Sequence, residues 1–135
     1  MKKAILSFIA GGVTWFVVAT VLFRSLRLID GYPAAEAQMH FTLGMMLARL
    51  VCAFITSFAA GAAMGAVSPT STRVPWIFGV LLLAFFLPVH WKLWNDFPIW
   101  YHASFLLTLV PLFVLGARVT SKRRASTPPA AAGIS

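Results

Sequence analysis

The sequence predicts an all-α membrane protein, a membrane four-helix bundle with both termini on the cytoplasmic side. Three observations carry that expectation. Of the 135 residues, 60% are apolar and only 10% charged, against roughly half and a quarter in an ordinary soluble domain. The apolar set, about 81 residues, matches four bilayer-spanning helices of roughly 20 residues each. The apolar residues also fall in long runs, and most basic side chains sit beside those runs. Too little chain is left for a separate soluble domain of usual size. A soluble enzyme, a secreted disulfide scaffold and a disordered chain are all excluded.

The first span is expected over about 5–23, after Met1-Lys2-Lys3. It is longer than the roughly 7–15 apolar residues of a signal peptide. No small-x-small cleavage site precedes Arg24, so an uncleaved helix is expected. The second span covers about 41–67, interrupted only by Arg49. The third covers 74–90, where Pro75 suits a first helical turn because its missing N–H leaves no bond unmade. The fourth covers 99–117, with Pro98 in its opening turn. Pro88 and Pro111 free the carbonyls of Ala84 and Leu107; static kinks are the leading reading, a transporter hinge the second. Residues 1–118 then form the transmembrane domain, and 119–135 are expected as a disordered basic cytoplasmic tail.

Charge orients the bundle. One side holds Lys2, Lys3, Arg73, Arg118, Lys122, Arg123 and Arg124. The other holds Arg24, Arg27 and Lys92 with all three acids, Asp30, Glu36 and Asp96. Excess Lys and Arg marks the cytoplasmic face, so the termini lie inside and the chain is placed as multi-pass in a bacterial inner membrane. Trp91, Trp94, Phe97, Trp100 and Tyr101 crowd the outer ends of spans three and four, as an interfacial belt does. The net charge of +8 is explained by topology, so the lipid bilayer is the expected partner and nucleic acid is not.

Span two carries Ala53, Ser57, Gly61 and Gly65 at four-residue spacing. Small residues let helix backbones approach closely where lipid offers no hydrophobic drive for association. Packing within the chain is the leading use; a homo-oligomer or another membrane protein on the Gly61/Gly65 face is the alternative.

Arg49 is the one charge inside an expected span. Intramembrane charges are costly and mark functional sites by default. Thr42, Arg49 and Thr56 fall on one helical line. Anchoring by a snorkelling side chain is the first reading, and ligand or ion handling the second. His40, His90 and His102 all fall on the outer side. They are weak metal or haem candidates without a ligating spacing, and no cofactor is predicted. Other four-helix chemistries fail on what is missing. Span one has no acid for a multidrug antiporter, the single Cys52 cannot serve disulfide generation, and no carboxylate pair supports an aspartic peptidase. No phosphate loop or nucleophile elbow occurs. No enzyme is expected. The candidate site is an outward-facing polar cluster of Arg49, His90, Asp96, Trp100, Tyr101 and His102.

The run FPIWYHASFLLTLVPLFVLGAR, preceded by a span ending LPVHW, and the small-residue CAFITSFAAG carry a resemblance. The chain resembles small bacterial inner-membrane proteins whose last span begins P-x-W-Y-H. That resemblance implies the fold and the location, and assigns no activity. The expected role is structural or accessory. The alternatives are a small transporter or channel subunit for an anionic solute using Arg49, and metal or haem binding by the outer histidines.

Overall fold

The computed structural model describes residues 1–70 and 73–126. Among them the chain is all helical, with four helices long and apolar enough to cross a membrane. They are α1 (Lys2–Leu26), α3 (Leu43–Val67), α4 (Arg73–Lys92) and α5 (Ile99–Ser126), with a short α2 (Tyr32–Gln38) between the first two. A helix of 25 residues rises about 37 Å at 1.5 Å per residue, enough for a hydrocarbon core of about 30 Å. Each expected span is present: α1 is three residues longer at each end, α3 starts at Leu43 and not at 41, α4 is one and two residues longer, and α5 continues nine residues past 117.

Helix α3 is the centre. It packs along α1 and α5, α4 packs along α5, and α1 meets α4 only lightly. Its Gly61 and Gly65 lie against the backbone of α5. A methyl group on Gly61 would collide with the Phe113 carbonyl, and one on Gly65 with Ala117. Gly116 of α5 meets the Phe58 carbonyl in return. Residues 61 and 65 thus face 113 and 117 in order, so the two helices run parallel. The small-residue face is taken up inside the chain.

On the opposite side, Ser7 of α1 donates from Oγ to the Met64 carbonyl at 3.0 Å and Phe23 lies over Arg49, so α1 runs antiparallel to α3. The rest of α1 turns Ile5, Ile9, Val13, Phe16, Val17 and Val21 outward. Such a face needs lipid around it. Helix α4 returns antiparallel to α5, with Gly79 against Val110 and Phe78 edge-on to Phe113 at 5.2 Å. Pro88 and Pro111 lie within helices that continue past them, both on exposed faces.

Two departures from the sequence expectation matter. Residues 24–40, between the first two expected spans, contain α2. Gly31 adopts φ 78 and Met39 φ 54, the left-handed conformations that start and stop this turn of helix, with Pro33 in its first turn. The tail expected as disordered from residue 119 is helical to Ser126. No breaker occurs before Pro128, and Thr120 docks on α3 by donating to the Ala62 carbonyl at 2.8 Å. Lys122, Arg123 and Arg124 also suit a helix C-terminus, whose dipole favours cations. Residues 127–135 of that expected tail lie outside the described residues.

Candidate functional site around Arg49

Arg49 is the seventh residue of α3, about 9 Å along its axis from the first. Thr42 caps that end by accepting from the Met45 N–H at 3.3 Å. The guanidinium is half-buried and converges with five other parts of the chain. Its Nη1 donates to the Tyr32 hydroxyl at 2.6 Å and its Nε to the Tyr101 hydroxyl at 3.2 Å. Its central carbon lies 4.9 Å from the Phe41 ring centre, 5.4 Å from Phe23 and 5.9 Å from Phe97, within cation–π range.

Every one of those partners is neutral. Glu36, the nearest acid in sequence on α2, is bound in two places by Arg27, at 2.9 and 3.2 Å. That pair is exposed on both sides and contributes little to stability. Among the described residues no carboxylate pairs with Arg49. The phenols accept its N–H groups, which leaves each O–H proton for some other acceptor.

Two cavities meet at this side chain. One, of about 240 Å³, lies between α1 and α4 with Arg49, Ala53, Thr56 and Ser57 of α3 behind it. Its α1 wall is Trp15, Ala19 and Phe23, and its α4 wall includes Phe86, Val89 and His90. Trp15 and Phe86 close the inner end with rings 5.8 Å apart. The other cavity, of about 360 Å³, is polar and includes Arg24, Arg27, Tyr32 and Glu36. Phe23 and Arg49 line both.

His90 and His102 form a second polar unit beside the first. Their Nδ1 atoms are 2.6 Å apart, so one ring carries a proton there and the other accepts it. His102 is 1% exposed, stacked on Trp94 at 5.0 Å and 9°, and its Nε2 has no partner. An orphaned buried N–H is rarer than an under-used acceptor. The proton therefore belongs on Nδ1 of His102, and His90 carries its own proton on Nε2. His90 lines the apolar cavity and lies 6.4 Å, ring to ring, from Tyr101, which joins the pair to Arg49.

Of the expected cluster, Arg49 and Tyr101 are bonded and His90 and His102 are paired. Asp96 is exposed and lines a separate outer depression with His40. Trp100 is 40% exposed and touches the site only through the edge of Tyr101, at 6.2 Å. His40 is apart from the other histidines, its Nδ1 at 3.2 Å from the Gln38 carbonyl. No group of three His, Cys, Asp or Glu converges among the described residues. Two imidazole nitrogens on a tetrahedral zinc, each about 2.0 Å from it, stand roughly 3.3 Å apart; the histidine pair is closer and has hydrogen-bond geometry. Of the packing residues, Ala53 and Ser57 line the cavity, while Gly61 and Gly65 make the helix crossing.

Sequence reasoning missed Tyr32, which is 1% exposed, together with the rings of Phe23, Phe41 and Phe97. The Gly31-Tyr32-Pro33 start of α2 was the available signal. No known protein family, curated protein or solved structure matches the chain.

Proposed function

We propose that this chain is a non-catalytic, multi-pass protein of a bacterial inner membrane, with both termini cytoplasmic, whose accessory role is to bind an anion at Arg49. The observation that carries it is a guanidinium in a spanning helix surrounded by two phenols and three aromatic rings, with no carboxylate. A cation held this way in a low-dielectric region is costly unless paired, and an anionic ligand supplies the missing charge. Arg24 and Arg27 on the adjoining polar cavity favour approach of an anion from water. The distribution of basic residues along the sequence supports the orientation, which opens this cavity outward. The resemblance to small inner-membrane proteins with a P-x-W-Y-H last span supports the location.

The test uses the full chain in zwitterionic lipid nanodiscs, with the arginine side chains labelled for ¹⁵N NMR. Acetate, the smallest organic carboxylate, is expected to shift the Arg49 Nε resonance saturably. Arg49→Gln should abolish the saturable component seen at neighbouring labels. An Arg49 resonance indifferent to acetate would overturn the anion reading.

A further inference from the structure

We propose that the ligand is a single-chain amphiphile with an anionic head that enters sideways from the bilayer between α1 and α4. This rests on the anion reading for Arg49 and names the class of anion.

Trp15, Ala19, Phe23, Phe86, Val89 and Phe105 give the cavity of about 240 Å³ apolar walls, broken by Arg49, Ser57 and His90. Such a lining suits an apolar chain that carries a polar head at Arg49. The route is given by the packing: α1 and α4 meet only lightly, and Val89, which lines the cavity, is 37% exposed. A gap between two lipid-facing helices admits chains from the bilayer. Trp15 and Phe86 stop such a chain at the inner end.

The head end is fixed by Arg49, which lines this cavity and the polar one together. A molecule that satisfies both has an anionic head joined to one apolar tail. The volume lies below the roughly 300 Å³ of common ligand pockets, so it suits one chain and not two. Arg49 gives one N–H from Nε and one from Nη1 to phenols, which leaves one N–H on Nη1, two on Nη2 and the phenol O–H protons for the oxygens of an anionic head.

Because lipid is as apolar as the cavity wall, the tail gains little free energy by moving from one to the other. Selection by the cavity is by length and access. Laurate in nanodiscs, followed by the Arg49 Nε shift, is the probe, with acetate as the head-only comparison. Ala19→Trp fills the mouth between the helices and is expected to lower laurate affinity at least tenfold relative to acetate. Phe86→Ala opens the inner end and should move the preferred chain from laurate towards palmitate. The second variant enlarges rather than crowds, so misfolding cannot imitate its effect.

A laurate-to-acetate ratio unchanged by Ala19→Trp, with no change of chain preference in Phe86→Ala, would overturn lateral entry while leaving anion binding intact. Dodecyl phosphate beside laurate shows which head the site prefers, and binding of acetate without either amphiphile would overturn the amphiphile reading. Loss of the acetate response itself would remove both readings together.

Discussion

Tyr32 and Tyr101 show how a charge can be kept in a spanning helix without a counter-ion. Each phenol accepts one N–H of Arg49, and the ring faces around it add weak attraction. Removing the shorter bond by Tyr32→Phe deletes a hydrogen bond to a charged group, a change of about 1.5–3 kcal/mol. The unfolding midpoint in detergent should fall accordingly, and an unchanged midpoint would show that water replaces the phenol. The histidine pair makes a sharper prediction at the same scale. In ¹⁵N spectra His102 should appear protonated at Nδ1 and His90 at Nε2; the reverse assignment would mean that a buried N–H at His102 Nε2 has found a partner. Arg49 was legible in the sequence because a lone charge breaks an apolar run. Tyr32 was not, because its contact depends on a left-handed Gly31 that helps return the chain onto α3 at a residue 17 positions away.

At the scale of the elements, the spacing of Ala53, Ser57, Gly61 and Gly65 announced a close helix crossing, but the sequence held no sign of which helix would fill it. The partner is α5, and its own Gly116 completes the contact from the other side. Gly61→Val places a branched side chain where the Phe113 backbone already lies. Backbone cannot swing aside as a flexible side chain can, so destabilisation at or above the usual 1–3 kcal/mol of overpacking is expected. Gly44 provides the control within the same helix. The nearest atom to an added methyl there is the Thr42 hydroxyl at 4.0 Å, and Gly44→Ala should keep or raise stability by up to about 1 kcal/mol. Both are read by reversible unfolding in mixed micelles; equal effects at 44 and 61 would contradict the crossing. The end of α5 was misjudged for a related reason. Thr120 and the basic residues after it look like a polar tail in one dimension, and the bond of Thr120 to the Ala62 carbonyl of α3 is a contact that one dimension does not show.

For the whole molecule, the uneven packing is what leaves room for a ligand. Strong contact of α3 with both α1 and α5, and light contact of α1 with α4, leave the Arg49 cavity at the end that carries α2 and an apolar one, beside Ile5, Ile9 and Ile77, at the other. Whether the α2 end meets the periplasm follows from charge, not from packing. The α2 end holds all three acids and three of the ten Lys and Arg other than Arg49, while the terminal end holds seven. Because flanking Lys and Arg resist translocation, the terminal end should stay in the cytoplasm. A fluorescent protein fused after Ser135 should therefore be bright, and alkaline phosphatase at the same place inactive. Phosphatase inserted beside His40, between α2 and α3, should be active. Arg73 is the only basic residue flanking the α3–α4 connection among the described residues, so Arg73→Glu removes that connection's bias but leaves Lys2, Lys3 and the α5 end in place. If the remaining charges suffice, both reporters keep their activities in the variant. An active phosphatase after Ser135 in the unaltered chain would turn the bundle over, and the Arg49 cavity would then draw its ligand from the cytoplasmic leaflet instead.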